Sequence, residues 1–197
     1  MFNLQGRRAL ITGSGQGIGF ALAQGLAEAG ATVVINDRDE SRAKSAAEKL
    51  NAAGLKAEFA VFDVTQHDEV ASAIAQIEQD FGAIDILVNN AGIQRRAPIE
   101  DFPVSDWNAI IDVNLSSVFH VSQAVAKHMI PRQKGKIINI CSVQSMLGRP
   151  SIAPYAASKG AVAMFTKGLC TDLAKHGLQI NGIAPGYFVT ELTKPLV

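Results

Sequence analysis

The stretch that decides the fold is TGSGQGIG, residues 12–19. It follows a short apolar run at residues 9–11 and opens a segment with helical periodicity. Its glycines at positions 13, 17 and 19 leave bare backbone where a pyrophosphate can approach the amides and the positive dipole end of a helix. Taken alone, the pattern is equally typical of a tight turn between a strand and a helix.

Apolar, β-rich runs alternate with helix-period segments along the rest of the chain. Strands are predicted at residues 9–11, 32–36, 57–62, 86–88, 136–140 and 179–184. Helices are predicted at residues 18–29, 40–53, 68–81, 105–130 (broken or bent) and 155–175. Runs such as VVI and ILV indicate strands covered on both faces, hence a parallel sheet. The sequence therefore predicts one α/β domain over residues 1–197, a doubly wound sheet with its ligand outside the carboxyl ends of the strands.

Composition limits the class of partner. Eighteen basic and eighteen acidic residues cancel, and no block of like charges occurs, so neither nucleic acid nor a membrane is expected as a partner. The uncharged stretch at residues 9–27 is interrupted by five glycines, which argues against a membrane span. Cys141 and Cys170 lie in apolar segments and are expected to be reduced, structural thiols of a cytoplasmic protein. The expected partner is a small molecule, and no metal site is predicted.

Acidic residues follow two of the predicted strands. Asp37 ends the second strand, eighteen residues beyond Gly19, where a carboxylate can accept hydrogen bonds from an adenine ribose diol. Asp63 ends the third strand before Val64 and either meets the adenine edge or caps the next helix. Asp37 favours NAD over NADP, whereas Arg38 offers a guanidinium to a 2′-phosphate. We therefore expect NAD preference with some use of NADP.

Two further groups of small and polar residues are candidates for the cofactor cleft. The run NNAG, residues 89–92, ends the fourth strand and allows close approach of a cofactor, although it is also consistent with a purely structural turn. Asn114 lies inside a helix-period segment, where Asn is a mediocre helix former. It is expected either to face solvent or to serve a bend and a water site.

Ser142, Tyr155 and Lys159 are the strongest catalytic candidates. Ser142 ends the fifth strand, and Lys159 follows Tyr155 by four residues, so the ammonium and the phenol share one helical face. A tyrosine ordinarily titrates near ~10, and a neighbouring cation is one way to let it act as acid and base near neutrality. Ser142 would hold the reacting oxygen. A lone Tyr-x-x-x-Lys pair is more often a surface pair. The hypothesis of a catalytic site therefore depends on the pair occurring together with Ser142 and the glycine turn.

Together these motifs resemble the short-chain dehydrogenase/reductase family, whose TGxxxGIG, NNAG, Ser, YxxxK and PG motifs occur here in order over the whole chain. The resemblance implies a Rossmann fold, a nicotinamide cofactor and a catalytic tetrad of Asn114, Ser142, Tyr155 and Lys159, in which the Asn helps to hold a proton-relay water. It also implies that IAPGYFVT, residues 183–190, lies along the nicotinamide. The implied cofactor-binding residues are Gly13, Ser14, Gly17, Ile18, Gly19, Asp37, Arg38, Asp63, Val64, Asn90, Ala91, Gly92, Tyr155, Lys159, Pro185, Gly186, Val189 and Thr190.

Members of the family usually run longer than this chain. The resemblance therefore implies that the C-terminal part of the family fold, with the remaining substrate-covering helices and part of a subunit interface, is absent. The full-length protein is expected to be a homo-oligomer, a dimer or a tetramer. A dinucleotide-binding regulatory protein without turnover, and a flavodoxin-like domain, are the competing hypotheses, and the intact tetrad favours an enzyme.

The loops beside the tetrad predict a polar, anionic substrate. Three guanidinium groups lie there, any of which can hold a carboxylate, be solvated or make a subunit contact. NNAGIQRR and CSVQSMLGRP resemble a bacterial group of the family that oxidises gluconate at the 5-hydroxyl or reduces the 5-keto acid; action on another polyol, sugar or keto acid is the alternative. The candidate substrate-binding residues are Arg95, Arg96, Ser142, Gln144 and Arg149, with Ser145 as a further hydroxyl partner.

Overall fold

The computed structural model describes residues 3–186 and 188, and its centre is a parallel six-stranded sheet. The strand order is β3-β2-β1-β4-β5-β6, so the direction of winding reverses between β1 and β4. The strands are β1 (Arg8–Ile11), β2 (Thr32–Asp37), β3 (Lys56–Val61), β4 (Ile86–Asn89), β5 (Gly135–Ile140) and β6 (Leu178–Ile183). This is the doubly wound, Rossmann-type sheet that the sequence predicts.

Helices cover both faces of the sheet. They are α1 (Gly17–Glu28), α2 (Glu40–Ala52), α3 (His67–Asp80), α4 (Val104–Ile111), α5 (Ser117–Arg132) and α6 (Ala153–Leu173). The predicted break in the long helix is a π-helical segment, Asp112–Ser116, between α4 and α5. Each predicted strand and helix is present in the described part of the chain, with ends displaced by only a few residues.

Alternate residues of the central strands feed two separate cores. Ala9 and Ile11 of β1 pack with alanines of α1 and α2 on one face, whereas Leu10 packs with α3 and α5 on the other. Both sets are buried, which explains why the strands read as continuous apolar runs. The alanines let α1 and α2 lie close to the sheet, and this closeness brings the start of α1 next to the ends of β1 and β4.

Local signals at helix ends are mostly confirmed. Gly30, Gly54 and Gly177 adopt positive φ angles of 100°, 78° and 73° where helices stop, as expected of glycine in a left-handed conformation. Thr65, which precedes α3 and is of a type that commonly caps helices, is not the N-cap of this helix. The cap position of α3 is Gln66, without a side-chain cap bond, and Thr65 instead donates its N–H and hydroxyl to Asp63 Oδ1 at 2.9 and 2.8 Å.

Residues Val104–Arg132 are long and apolar enough, by length and composition, to cross a membrane. Half of the most apolar window is buried inside the fold, and buried core helices of soluble proteins pass the same test. Cys141 and Cys170 are free thiols, the first buried and the second only half-buried. Burial raises the pKa of the Cys141 thiol despite the nearby Lys159 charge, which suits the structural role predicted for it.

Candidate active site

A cavity of about 490 Å³ opens at the carboxyl ends of the strands, at the point where the strand order reverses. This is where a doubly wound sheet is expected to bind its ligand. Of the residues singled out in the sequence, those that line it are Gly13, Gly17, Ile18, Gly19, Asp37, Arg38, Asp63, Val64, Asn90, Ala91, Gly92, Arg95, Ser142, Tyr155, Lys159, Pro185 and Gly186. Val189 and Thr190 lie outside the described residues.

The glycine turn forms a cradle that larger residues would fill. Gly13 and Gly17 have φ angles of 60°, and a Cβ at Gly19 would lie 2.5 Å from Gly13 O and from Asn90 Nδ2. No atom lies within 4 Å of a Cβ placed at Gly17, so the space before the first turn of α1 is open. The backbone N–H groups of that turn have no helical acceptors. The cradle therefore fits a pyrophosphate.

Side chains beneath the cradle hold it in shape. Asn90 Nδ2 donates to Thr12 O and Gly13 O at 2.9 and 3.1 Å. Asn36 Oδ1 accepts from Gly13 N at 3.2 Å, a role that the sequence analysis missed. Ser14 is fully buried and bonds Ile11 O and Asn36 N through its hydroxyl, so its side chain braces β1 against β2 rather than lining the cleft.

Asp37, at the end of β2, has a partner that sequence reasoning missed. Arg42, from the first turn of α2, donates from Nη2 to Asp37 Oδ1 at 2.8 Å and from Nε to Oδ2 at 3.3 Å. A bidentate pair of this kind orients the carboxylate and balances its charge. Arg38 and Arg42 both line the cleft beside it. The ribose end of the cleft therefore contains two guanidinium groups and one adjacent carboxylate.

The wall beyond β3 places Asp63 and Val64 beside this end of the cleft. Asp63 Oδ1 accepts from the N–H and hydroxyl of Thr65, so the carboxylate stabilises the turn before α3 but does not cap that helix as the alternative expected. His120 Nδ1 of α5 lies 3.3 Å from Val64 O. Because Asp63 also lines the cavity, its structural contact and a role at the adenine edge are compatible.

Asn114 is turned inward by the π-helical segment. It is fully buried, and its Oδ1 accepts from Ile93 N at 2.8 Å while its Nδ2 donates to Ile93 O at 3.0 Å and to Ser158 Oγ at 3.1 Å. Of the two alternatives left open by the sequence, exposure is wrong and the bend is confirmed. The extra residue of a π-turn is a known way to redirect a side chain at a functional site.

Lys159 and Tyr155 project from α6 into the cleft, one helical turn apart. Lys159 is 5% exposed, and its Nζ donates to Ile140 O at 2.6 Å. Burial lowers the pKa of Lys159 to about 8, against a small opposing effect of Cys141. The ammonium is therefore largely charged near neutrality and loses its proton just above that range. Such a cation beside the phenol stabilises its deprotonated form.

Ser142 is held in place by its own turn. Its Oγ accepts from Gln144 N at 3.1 Å, and its N–H donates to Ser145 Oγ at 3.2 Å. Ser145 Oγ in turn donates to Lys159 O at 2.9 Å, which joins this turn to α6. The Ser145 hydroxyl thus joins two parts of the fold, and its role as a substrate partner stays a prediction. Val143 N donates to Pro185 O at 3.1 Å, which brings the segment after β6 to the cleft.

The structure separates the three candidate arginines. Arg95 lines the cleft, with Nε 3.7 Å from Asp106 Oδ1 on α4. Arg96 instead donates from Nε to Ser151 Oγ at 3.3 Å and ties two loops together. Neither Arg96 nor Arg149 is among the described residues that line the cavity, and buried Gln144 is also outside that set. Of the candidate substrate-binding residues, Arg95 and Ser142 line the cavity, and substrate binding by Arg96, Gln144 and Arg149 stays a prediction.

Comparison with known proteins agrees with this geometry. The family model described as short chain dehydrogenase matches residues 7–197. Gluconate 5-dehydrogenase of Gluconobacter oxydans is 59% identical over 100% of this chain and 77% of its own length. A 5-keto-D-gluconate 5-reductase of Escherichia coli is 58% identical over 100% of this chain and 78% of its own length.

A solved structure is similar to this chain in both fold and sequence. The crystal structure of a gluconate 5-dehydrogenase from Burkholderia cenocepacia in complex with NADP and tartrate superposes with a TM-score of 0.97 and 63% identity. The match covers 99% of this chain and 76% of that chain. With the glycine cradle, the tetrad and the family match in agreement, the chain belongs to the short-chain dehydrogenase/reductase family of NAD(P)-dependent enzymes.

Proposed function

We propose that this chain interconverts D-gluconate and 5-keto-D-gluconate with a nicotinamide dinucleotide. The observation that carries the proposal is the cleft itself, which Ser142, Tyr155 and Lys159 line together with Arg95 of the loop after β4. A hydroxyl-activating group and a cation suited to a carboxylate are what an open-chain sugar acid requires. Relatives that share 58 to 63% of the sequence carry gluconate or 5-keto-gluconate in their names. The intact tetrad speaks against a binding protein without turnover.

The residues of the chain divide the reaction between them. The glycine cradle at the start of α1 would hold the pyrophosphate of a nicotinamide dinucleotide, which would supply the hydride chemistry. Tyr155 takes the proton of the substrate hydroxyl during oxidation and returns it during reduction. The charge of Lys159 stabilises the phenolate of Tyr155, and the Ser142 hydroxyl orients the substrate oxygen. Arg95 holds the carboxylate at the far end of the substrate.

Cofactor choice depends on the charges around Asp37. The sequence favours NAD because a carboxylate repels a 2′-phosphate, but the bidentate contact with Arg42 balances that charge. Arg38 then offers a second guanidinium at the same end of the cleft, which can pair with a 2′-phosphate. We infer that NADP is used at least as efficiently as NAD. A structure of a relative that contains NADP supports this proposal.

Replacing Arg38 with Ala is expected to lower kcat/KM for NADP by about 10-fold or more and to change kcat/KM for NAD by less than about 3-fold, because only NADP carries the phosphate. Initial rates with both cofactors measure the change. Lys44→Ala, at an exposed position of α2, removes the same charge away from the cleft and serves as the control. A native enzyme that prefers NAD by more than about 10-fold would contradict the inference.

Replacing Arg95 with Ala is expected to raise KM for gluconate by about 10-fold or more, with little change in KM for a neutral polyol such as sorbitol. The contact with Asp106 is long and both groups are partly exposed, so it contributes little and a substrate carboxylate can replace it. Steady-state kinetics with both substrates test this. Arg96→Ala removes a neighbouring charge outside the cavity lining and is the matched control. Equal effects of the two substitutions, or equal activity on sorbitol and gluconate, would refute the assignment.

The homo-oligomeric state and cytoplasmic location expected from the sequence stay predictions. Exposed apolar side chains on adjacent helices, Phe119 of α5 and Met164 of α6, are consistent with a subunit contact. The Phe119 ring also packs edge-on against Phe165, with centroids 6.4 Å apart. Light scattering of the full-length protein measures the oligomeric state, and a monomer at micromolar concentration would contradict it.

A further inference from the structure

We propose that Ser158 is a positioning residue, which fixes Asn114 and the loop after β4 against the turn of α6 that carries Tyr155. Ser158 lies between the two catalytic residues of α6 in sequence, yet its side chain points away from the cleft and is fully buried. Its hydroxyl is the meeting point of two hydrogen bonds. The inference concerns the geometry of the tetrad and holds for any substrate that the enzyme turns over.

The first hydrogen bond joins Ser158 to the backbone of Tyr155. Ser158 Oγ donates to Tyr155 O at 2.7 Å, three residues earlier in the first turn of α6. A serine commonly bonds back to its own helix in this way, and that bond alone would have only local consequences. It does, however, determine the direction of the hydroxyl proton. With the proton directed at Tyr155 O, the oxygen lone pairs are left to accept from another donor.

The second hydrogen bond reaches across to the π-helical segment. Ser158 Oγ accepts from Asn114 Nδ2 at 3.1 Å. The other Nδ2 proton and Oδ1 of Asn114 bond Ile93 O and Ile93 N at 3.0 and 2.8 Å. A neutral amide side chain has two donor protons and two acceptor lone pairs, so both protons and one lone pair of Asn114 are engaged by the fold. The Asn114 side chain therefore bridges the loop at Ile93 and α6, and Ser158 holds one end of that bridge.

The resulting chain of bonds runs from Ile93 through Asn114 and Ser158 to the backbone of Tyr155. Ile93 and Tyr155, at the two ends of this chain of bonds, both line the cleft. Gly92 leaves the space beside it open, since a Cβ there would lie 3.4 Å from Asn114 Oδ1 and 3.7 Å from Lys159 Nζ. Removal of the Ser158 hydroxyl leaves a buried Asn114 N–H without its acceptor, which is unfavourable. Asn114 and the loop at Ile93 would then lose their fixed distance from Tyr155.

A double-mutant cycle in the full-length enzyme tests the proposal. Ser158→Ala is expected to lower kcat about 10-fold while KM and the Kd for NADPH change less than about 2-fold, because only the alignment of the tetrad is disturbed. Asn114→Ala is expected to lower kcat by more. If the two residues act through one bridge, the double variant should be no slower than Asn114→Ala within about 2-fold. Two effects that multiply would overturn the proposal.

Controls separate positioning from folding. Thr171→Val removes a hydroxyl that bonds Lys167 O at 3.1 Å on the same helix, outside the site, and is expected to leave kcat unchanged. Ser158→Thr keeps the hydroxyl and should retain kcat within about 3-fold of the native value. This variant tests the proposal even if Ser158→Ala folds poorly. A native kcat in Ser158→Ala would contradict the positioning role. So would a Ser158→Thr variant whose kcat is as low as the value expected for Ser158→Ala. If native enzyme is inactive on gluconate, the same ratios on its actual substrate still decide the question.

Discussion

Replacing Tyr155 with Phe is expected to lower kcat about 100-fold or more, because the aromatic ring remains but the proton donor and acceptor is lost. Tyr155 lines the cleft in the first turn of α6, with the cationic Lys159 one turn later and Ser142 on the facing loop. Among the described residues that line the cavity, Tyr155 is the one tyrosine and Lys159 the one lysine. Steady-state oxidation of gluconate and reduction of 5-keto-gluconate both measure the loss.

Cofactor binding provides the internal control for this substitution. The cradle at Gly13 to Gly19 and the pair of Asp37 with Arg42 are distant from the phenol and should still bind the dinucleotide. Titration of protein fluorescence with NADPH is expected to give a Kd within about 3-fold of the native value. Near-native turnover of the Phe variant would show that another group is the acid and base.

Replacing Lys159 with Met is expected to lower turnover strongly but to leave the stability of the fold largely intact. Turnover should fall about 100-fold or more, since the phenolate loses its cation. The free energy of unfolding at neutral pH, however, should change little. Burial lowers the pKa of Lys159 from 10.5 to about 8, so the charged side chain costs the folded state roughly 3 kcal/mol at most below that pH. Its hydrogen bond to Ile140 O offsets part of this cost, and methionine has neither effect.

The sign of the pH dependence distinguishes this explanation. Between pH 8 and 10.5 the unfolded chain keeps a proton on this lysine that the folded chain has lost. Stability from this group therefore rises with pH across that window and is flat below it. Denaturant titrations at several pH values should show the rise in the native protein and not in Lys159→Met. Lys167→Met, exposed on the same helix, is the matched control. If the unfolding free energy of Lys159→Met rose with pH as it does in the native protein, the lowered pKa of Lys159 would be contradicted.

Much of the fold was predictable because its signals are local. Apolar runs at β1 and β2, the glycine turn and the helical periodicity each depend on neighbours a few residues away. The same holds for Tyr155 and Lys159, whose spacing alone places them on one helical face. Ser142 and Asp37 follow from the rule that the carboxyl ends of parallel strands share one edge. A regular architecture thus converts positions along the chain into positions around a cleft.

The interactions that sequence reasoning missed join residues far apart in the chain or depend on a local irregularity. Arg42 is five residues from Asp37, but its contact depends on how the first turn of α2 folds back over β2. Asn36 supports the glycine turn across 23 residues, and Asn114 reaches Ser158 across 44. Gln144 and Ser145 looked like exposed polar partners, whereas their short helical turn directs both inward.

The sequence by itself determined the α/β class, the strand and helix order, the glycine turn and the shared face of Tyr155 and Lys159, because periodicity, glycine spacing and the Tyr-x-x-x-Lys step are encoded within one or two turns of chain. The resemblance to the family added Asn114 to the expected tetrad. Only the tertiary structure decided which of the three candidate substrate arginines lines the cleft, which cation pairs with Asp37 and where Asn114 points. These depend on side chains that meet across the ends of separate strands and on a π-turn whose direction is set by packing. Hydrogen bonds and ion pairs are short-ranged, so a contact such as that of Ser158 with Asn114 exists only once the sheet and α6 have brought both groups together.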